Sequence, residues 1–235
     1  MNVSVGSTAE SMELKQAILL YNTFATVHPV AIDKANRPVI QPGKLATKDG
    51  LIAALRAMLP ETERGTGLLP GNILATGIDH MMWWIKPTQR AVWFSCAEVG
   101  GERSANVPHP GLVMLWCKSG WYVFAFKGTD RPQPDTKLYQ VPYFNVWRGG
   151  KICPGTARTP KGADRKKPTA WEDAFFGSFF THPNIHAPEK LIAKGSAFKF
   201  WMDMLDGRYQ RFPEGMLVDT KQTLQSMYRN LVQKG

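Results

Sequence analysis

The apolar positions of the chain follow two rhythms. Two short apolar runs, 13–21 and 25–32, are joined by the polar pair Asn22-Thr23, which predicts a hairpin near the start of the chain. Pro29 has no N–H to give a ladder, so the second run is expected to be an edge strand or to end early. The turn Gln41-Pro42-Gly43 follows, and then the spacing changes. Leu51, Ile52, Leu55, Met58 and Leu59 recur at helical intervals behind Thr47, a good N-cap residue, and Pro60 stops them. That pattern predicts a helix.

The rhythm then returns to that of strands. Segments 69–76, 80–85, 90–96, 111–117 and 121–127 are apolar and rich in aromatics, with turn signals at Pro87 and His109-Pro110-Gly111 between them. Lys118-Ser119-Gly120 makes a tight hairpin of the last two. Successive hairpins predict an antiparallel β-meander, and its buried face needs a cover. The helix before it can supply that cover, as can helical segments over 171–180, 196–205 and 222–232. Between meander and helices, residues 128–169 carry six prolines and several glycines and read as a long ordered loop. Loops of that length are uncommon in compact domains unless they are functional. The expected architecture is α+β. A hairpin extension over 1–45 packs on a main domain over 46–235 that ends in the C-terminal helices.

Composition narrows the class. At 235 residues, 43% apolar and 20% charged, the chain can bury a sizeable core and is not disordered. The polar stretch Met1–Glu10 predicts no secretory leader, and no apolar run approaches membrane-spanning length. Three cysteines are an odd count without metal-ligand spacing, so neither a disulfide framework nor a metal site is expected. A reduced, cytoplasmic setting follows. Cys96 and Cys117 lie inside apolar strand-like runs and read as core residues. The tryptophans at 83, 84, 93, 116 and 121 read as meander packing rather than a platform for bases.

Charge adds a second observation. The formal net charge of +10 favours an acidic partner. From Arg148 to Lys167 seven basic residues stand against the single acid Asp164, and the run brackets Cys153. Cations close to a thiol favour the thiolate.

The stretch from Tyr143 to Gly155, Tyr-Phe-Asn-Val-Trp-Arg-Gly-Gly-Lys-Ile-Cys-Pro-Gly, carries the candidate chemistry. It sets Cys153 just past a glycine-rich turn, where a thiol can be an exposed nucleophile. Asn145, eight residues upstream, can donate to an oxyanion. Trp147, Arg148 and Lys151 lie in the same segment as candidate partner or flap contacts. Trp147 can wall a channel for a partner's tail, or it can pin the segment to the core. His182, after an aromatic helical segment and before Pro183-Asn184, is a candidate base or orienting group for Cys153. It would complete a Cys-His-Asn set with Asn145 or Asn184, or else simply bond carbonyls at a helix end. His109 reads as a turn residue, and His28 and His80 show no arrangement.

The pattern Asn-x4-Gly-x-Ile-Cys is similar to the active-site flap of ubiquitin-conjugating enzymes, His-Pro-Asn-x4-Gly-x-[Ile/Val]-Cys, with Tyr143-Phe144 in the place of His-Pro. The order helix, meander, cysteine-bearing flap, helices is also that of the ubiquitin-conjugating fold. Within that superfamily the chain resembles prokaryotic family D. More narrowly, it resembles proteins of the PRTRC (ParB-related, ThiF-related) cassettes of plasmids and mobile elements. The resemblance spans about 15–205 and rests on His109-Pro110-Gly111-Leu112-Val113, Pro142 to Trp147, Gly150 to Gly155 and Phe179-Phe180-Thr181-His182.

The resemblance implies a carrier that accepts a ubiquitin-like protein as a thioester on Cys153 from a ThiF-like activating protein, with Asn145 at the oxyanion. It also implies a JAB-like peptidase among the partners, no membrane, and neither cofactor nor metal in the carrier itself. Adenylation would belong to a partner, since the chain has no Gly-x4-Gly-Lys-[Ser/Thr] loop. The competing reading is a non-catalytic DNA- or protein-binding accessory of a partition-type system. Against it, there is no helix-turn-helix or zinc signature, and the basic residues gather on one loop. A Cys-His hydrolase on the same residues is the third.

Overall fold

The structure is a computed structural model and describes residues 14–57, 68–155, 157–186 and 190–233. Contacts divide the chain into two units, 1–68 and 69–235.

In the first unit, β1 (Gln16–Leu20) and β2 (Ala25–Ile32) form the expected hairpin. Two short strands, β3 (Pro38–Ile40) and β4 (Lys44–Leu45), pair with the other side of β2. Pro29 is therefore in a central strand, not an edge. It sits where β2 passes from β4 to β3, and the ladder is repaired locally. The Gln41 carbonyl, which a residue with an N–H would have satisfied from Pro29, accepts from His28 Nδ1 at 2.8 Å. Helix α1 (Lys48–Ala57) starts at Thr47, whose hydroxyl accepts from the Gly50 N–H at 3.1 Å. The expected helix end at Met58, Leu59 and Pro60 lies outside the described residues.

The second unit begins with β5 (Ile73–Thr76), β6 (His80–Ile85), β7 (Thr88–Cys96), β8 (Gly101–His109), β9 (Gly111–Cys117), β10 (Gly120–Phe126) and β11 (Lys137–Gln140). It continues with α2 (Pro168–Phe176), β12 (Phe179–Phe180), α3 (Ala197–Leu205), β13 (Val218–Thr223) and α4 (Leu224–Tyr228), with a π-helical turn over Arg229–Gln233. A six-stranded antiparallel sheet runs in the order β13-β11-β10-β9-β6-β5.

The simple meander is broken in one place. β6 pairs with β9 because β7 and β8 leave as a hairpin of their own, which β12 joins in parallel. β8 escaped the apolar pattern because Glu102, Ser104 and Asn106 are exposed on alternate positions. β11 and β13 make each other's register across the chain, Tyr139 opposite Asp219, so no local run announces them. The last helix is accordingly shorter than expected and starts at a Thr223–Ser226 capping box.

Alternation along β6, β9 and β10 buries both faces of the large sheet. Trp83, Leu112, Met114, Val123 and Ala125 face α2, α3 and the β7–β8 hairpin. Trp84, Val113, Leu115, Phe124 and Phe126 face α4. Helix α2 is fixed by Glu172, which accepts from Trp83 Nε1 at 3.2 Å and pairs with Arg90 at 2.8 Å. No helix among the described residues is long and apolar enough to cross a membrane.

Candidate active site

β11 covers the β10 edge only at Ala125, leaving its first half open for another segment. The Gly150–Ile152 stretch takes that place. The Val123 N–H donates to the Gly150 carbonyl, and the Ile152 N–H to the Trp121 carbonyl, both at 2.8 Å. Val146 and Ile152 face each other in an antiparallel bridge with both side chains buried. Between them Trp147 to Gly150 closes a tight turn, in which the Gly150 N–H donates to the Trp147 carbonyl at 3.0 Å. Gly149, third in that turn, has φ +80°, as a type II turn requires. Gly150 has φ +81°, and a Cβ there would come within 2.6 Å of the Phe124 ring and 2.8 Å of the Val123 carbonyl.

This miniature hairpin sets the neighbours of Cys153. The Cys153 N–H donates to the Asn145 carbonyl at 2.8 Å. The thiol-bearing residue is half-buried, while Cys96 and Cys117 are buried in the core, as expected, and all three are free. Burial pushes the Cys96 thiol pKa up, and its bond to Glu98 pushes the same way.

Asn145 sits in the left-handed region at φ +61°, a conformation asparagine tolerates better than most residues. Its side chain behaves as a stand-in for a peptide unit. Nδ2 donates to the Phe179 carbonyl at 2.8 Å, and Oδ1 accepts from the Thr181 N–H at 3.3 Å and the Thr181 hydroxyl at 3.0 Å. One Nδ2 hydrogen is not used in that pattern. The Asn145 N–H donates to the His182 carbonyl at 3.1 Å.

His182 is exposed, with Nδ1 2.9 Å from the Thr181 hydroxyl. That hydroxyl spends its only proton on Asn145 Oδ1, so the neutral ring must donate from Nδ1, which leaves the Nε2 lone pair free of this chain of bonds. Segments 36 residues apart thus meet at Cys153, Asn145, Thr181 and His182. Asn184 stands apart: it is buried, and its Nδ2 has no partner among the described residues.

Two residues that sequence reasoning passed over help to build the site. Thr181 links Asn145 to His182, and Phe179 holds the Asn145 amide through its carbonyl. Nothing local in the sequence connects either to position 145. Trp147 is 48% exposed, while its neighbours in the hairpin, Val146 and Ile152, are buried and pin the turn to the core. Trp93 is 42% exposed and is not meander core. Its neighbours Val92 and Phe94 are buried, and period-two alternation gave the clue to its outward position.

Upstream, Tyr143 and Phe144 are fully buried. Tyr143 packs on Phe175, Phe180 and Trp201, and Phe144 on Phe94 and Phe198. The basic residues Arg148, Lys151, Arg158, Lys161, Arg165, Lys166 and Lys167 are all exposed, and Lys167 pairs with Asp164 at 2.8 Å. Beside Phe179 lies an open cavity of about 410 Å³ lined by small side chains, Ala157, Ala170, Ala174 and Gly177 among them, with Arg158.

The family model of prokaryotic E2 family D matches residues 49–220, from α1 through the candidate site to β13. The chain belongs to prokaryotic E2 family D. No curated protein and no solved structure matches it. Membership in an E2 family supports a ubiquitin-conjugating-like role, with partners of the ubiquitin-like and activating kinds.

Proposed function

We propose that the chain is a carrier for a ubiquitin-like protein in a PRTRC-type cassette, charged at Cys153 by a ThiF-like activating protein. The supporting observation is the single hydrogen-bonded patch that joins the Cys153 backbone to Asn145 and, through Thr181, to His182. In the first step the Cys153 sulfur attacks the activated C-terminal carbonyl carbon of the ubiquitin-like protein. A C–S bond forms as the bond to the activator's leaving group breaks, and the thiol proton departs with that group. In the second step an amine attacks the thioester carbonyl. The amide bond forms, the C–S bond breaks, and Cys153 regains a proton from the amine.

Each attack passes through an oxyanion. In the second, the unused Nδ2 hydrogen of Asn145 is the donor assigned to it, and His182 Nε2 is the base assigned to the incoming amine. Half-burial of Cys153 limits hydrolysis of the thioester while leaving the sulfur reachable.

The test is incubation with the cassette's activating protein, its ubiquitin-like protein and ATP, followed by reducing and non-reducing gels. A thiol-sensitive adduct lost in Cys153→Ser is the expected result. Salt-dependent retention of DNA with no adduct would refute the carrier and favour the accessory reading.

A further inference from the structure

Ten of the sixteen large apolar residues exposed among the described residues lie between Leu14 and Leu45. Exposed apolar surface is therefore concentrated on β1–β4, the segment that precedes the family match at residue 49. Singly scattered residues of this kind need no explanation, but a concentration of them marks an interaction surface. β1 is the end strand of this small sheet, and β2 is its one strand partner among the described residues. Its outer edge lacks the usual protections. Gln16-Ala17-Ile18-Leu19-Leu20 contains no charge and no proline, and its register with β2 runs without a bulge.

The hydrogen bonds of the β1–β2 hairpin fix which main-chain groups face outward. The Tyr21 N–H donates to the Phe24 carbonyl at 2.8 Å, and the Val30 N–H to the Lys15 carbonyl at 3.0 Å. Bonding alternates along an antiparallel ladder, so the odd-numbered residues of 15–21 turn their main chain to β2, and Gln16, Ile18 and Leu20 turn theirs to the open edge. That spacing makes the strand its own complement. About a two-fold axis through Ile18, a second copy sets Ile18 opposite Ile18, Gln16 opposite Leu20 and Leu20 opposite Gln16. In each pair both outward N–H groups meet an outward carbonyl. The same register puts Lys15 opposite Tyr21 of the copy, not opposite another Lys15.

We propose that β1 pairs antiparallel with β1 of a second copy of this chain, joining the two small sheets into one. The side chains choose the same occupant. Gln16 and Ile18 line a groove of about 390 Å³ together with Val27, Leu45 and Leu51. The pairing brings Leu20 of the copy, the most exposed side chain of the strand at 79%, opposite Gln16 at the edge of that groove. The contact is reciprocal, as a two-fold contact must be. One short strand on each side buries little area, so the dimer is weak and in equilibrium with the monomer. Each copy has a formal charge of +10, so salt relieves repulsion between copies and favours the pairing. None of this depends on thioester chemistry at Cys153.

The experiment is sedimentation velocity of the full chain over a wide range of concentration. The expected result is passage from a 26.3 kDa monomer to a dimer, more complete in high salt. Ile18→Lys sets two cations face to face on the axis and should weaken dimerisation by about tenfold or more, with an unchanged circular dichroism spectrum. A second measurement does not depend on how that variant folds. In a Cys153→Ser background, Ile18→Cys should give a disulfide-linked dimer on mild oxidation, because residue 18 faces its own copy. Val39→Cys, exposed on β3 at the far side of the sheet, should not. A monomer at every concentration overturns the proposal. So does a dimer without a cross-link at position 18, which would belong to another face, and so does equal cross-linking at 18 and 39. An assembly that forms only when the cassette's ubiquitin-like protein is added gives the edge to a foreign strand and overturns it as well.

Discussion

Gly150→Ala tests whether the Cys153-bearing hairpin is built as described. Two costs add. Alanine at φ +81° suffers the left-handed penalty of about 1–2 kcal/mol. Its Cβ would also press on the Phe124 ring at 2.6 Å and the Val123 carbonyl at 2.8 Å. Phe124 is buried and cannot swing away, so the turn must move. That stretches the bonds joining Gly150 and Ile152 to β10. Overpacking of this kind costs roughly 1–3 kcal/mol, and a lost backbone bond about 1 more.

The expected total is about 3–6 kcal/mol, a large share of a small domain's stability. Gly149→Ala is the control. Its φ is nearly the same at +80°, yet nothing lies within 4 Å of its added Cβ, so only the backbone penalty remains. Urea denaturation of both variants should therefore differ by about 2 kcal/mol or more, with the larger loss at Gly150. If the hairpin lifts off locally instead, hydrogen exchange at 145–153 speeds up in Gly150→Ala and Cys153 alkylates faster. Equal midpoints and equal exchange in the two variants would refute the docking of this segment on β10.

Three further outcomes are expected. Alkylation of the native protein at neutral pH should label Cys153 well before Cys96 or Cys117, since both are buried and burial raises the Cys96 pKa; equal labelling rates would contradict it. His109 is 2% exposed, and burial lowers its pKa from 6.5 to about 4. The unfolded chain therefore binds its proton first as pH falls, so stability present above pH 6.5 is lost between 6.5 and 4, by about 3 kcal/mol in all. Denaturation midpoints at pH 7, 5.5 and 4 should show that loss, and His109→Phe should lack it. Asn145→Gly keeps the left-handed backbone but removes the amide. Charging of Cys153 should persist while transfer to an amine slows by roughly 100- to 1000-fold, and a variant that unfolds instead would confine Asn145 to holding the fold.

Much of this was legible along the chain because local pattern and tertiary role agree. The β1–β2 hairpin, α1 from its Thr47 cap, the β9–β10 hairpin and α3 all announce themselves by period and turn chemistry. The Gly149-Gly150 pair and the Asn-x4-Gly-x-Ile-Cys spacing are readable for the same reason, since those backbone angles and that close approach to Phe124 leave few alternatives. What stayed hidden depends on distant partners. β13 is polar, Val-Asp-Thr-Lys-Gln-Thr, and is a strand only because β11 offers it an edge. His28 looked idle because its use appears only when Pro29 leaves the Gln41 carbonyl short of a donor. Thr181 gave no sign of a link to Asn145, 36 residues away, because side-chain bonds of that reach leave no periodicity.

The place where the motif departs from that of ubiquitin-conjugating enzymes is where the fold explains most. Asn145 can hold φ +61° only if the chain on both sides is fixed. Downstream, the hairpin on β10 fixes it. Upstream stand Tyr143 and Phe144 instead of His-Pro, and both rings are sunk in the aromatic cluster of Phe94, Phe175, Phe180 and Trp201. Trp201 adds a bond from its indole N–H to the Pro142 carbonyl at 2.8 Å. The orientation of the asparagine is thus set by packing against α2 and α3 rather than by a local turn. Such packing is dense and responds little to solvent, so the Asn145 amide is held without help from a bound partner. It also couples two properties that a surface loop would keep separate. A change at Trp201 or Phe175 that loosens the core also loosens the backbone that presents Cys153. In this chain the stability of the aromatic cluster and the geometry of the candidate site rise and fall together.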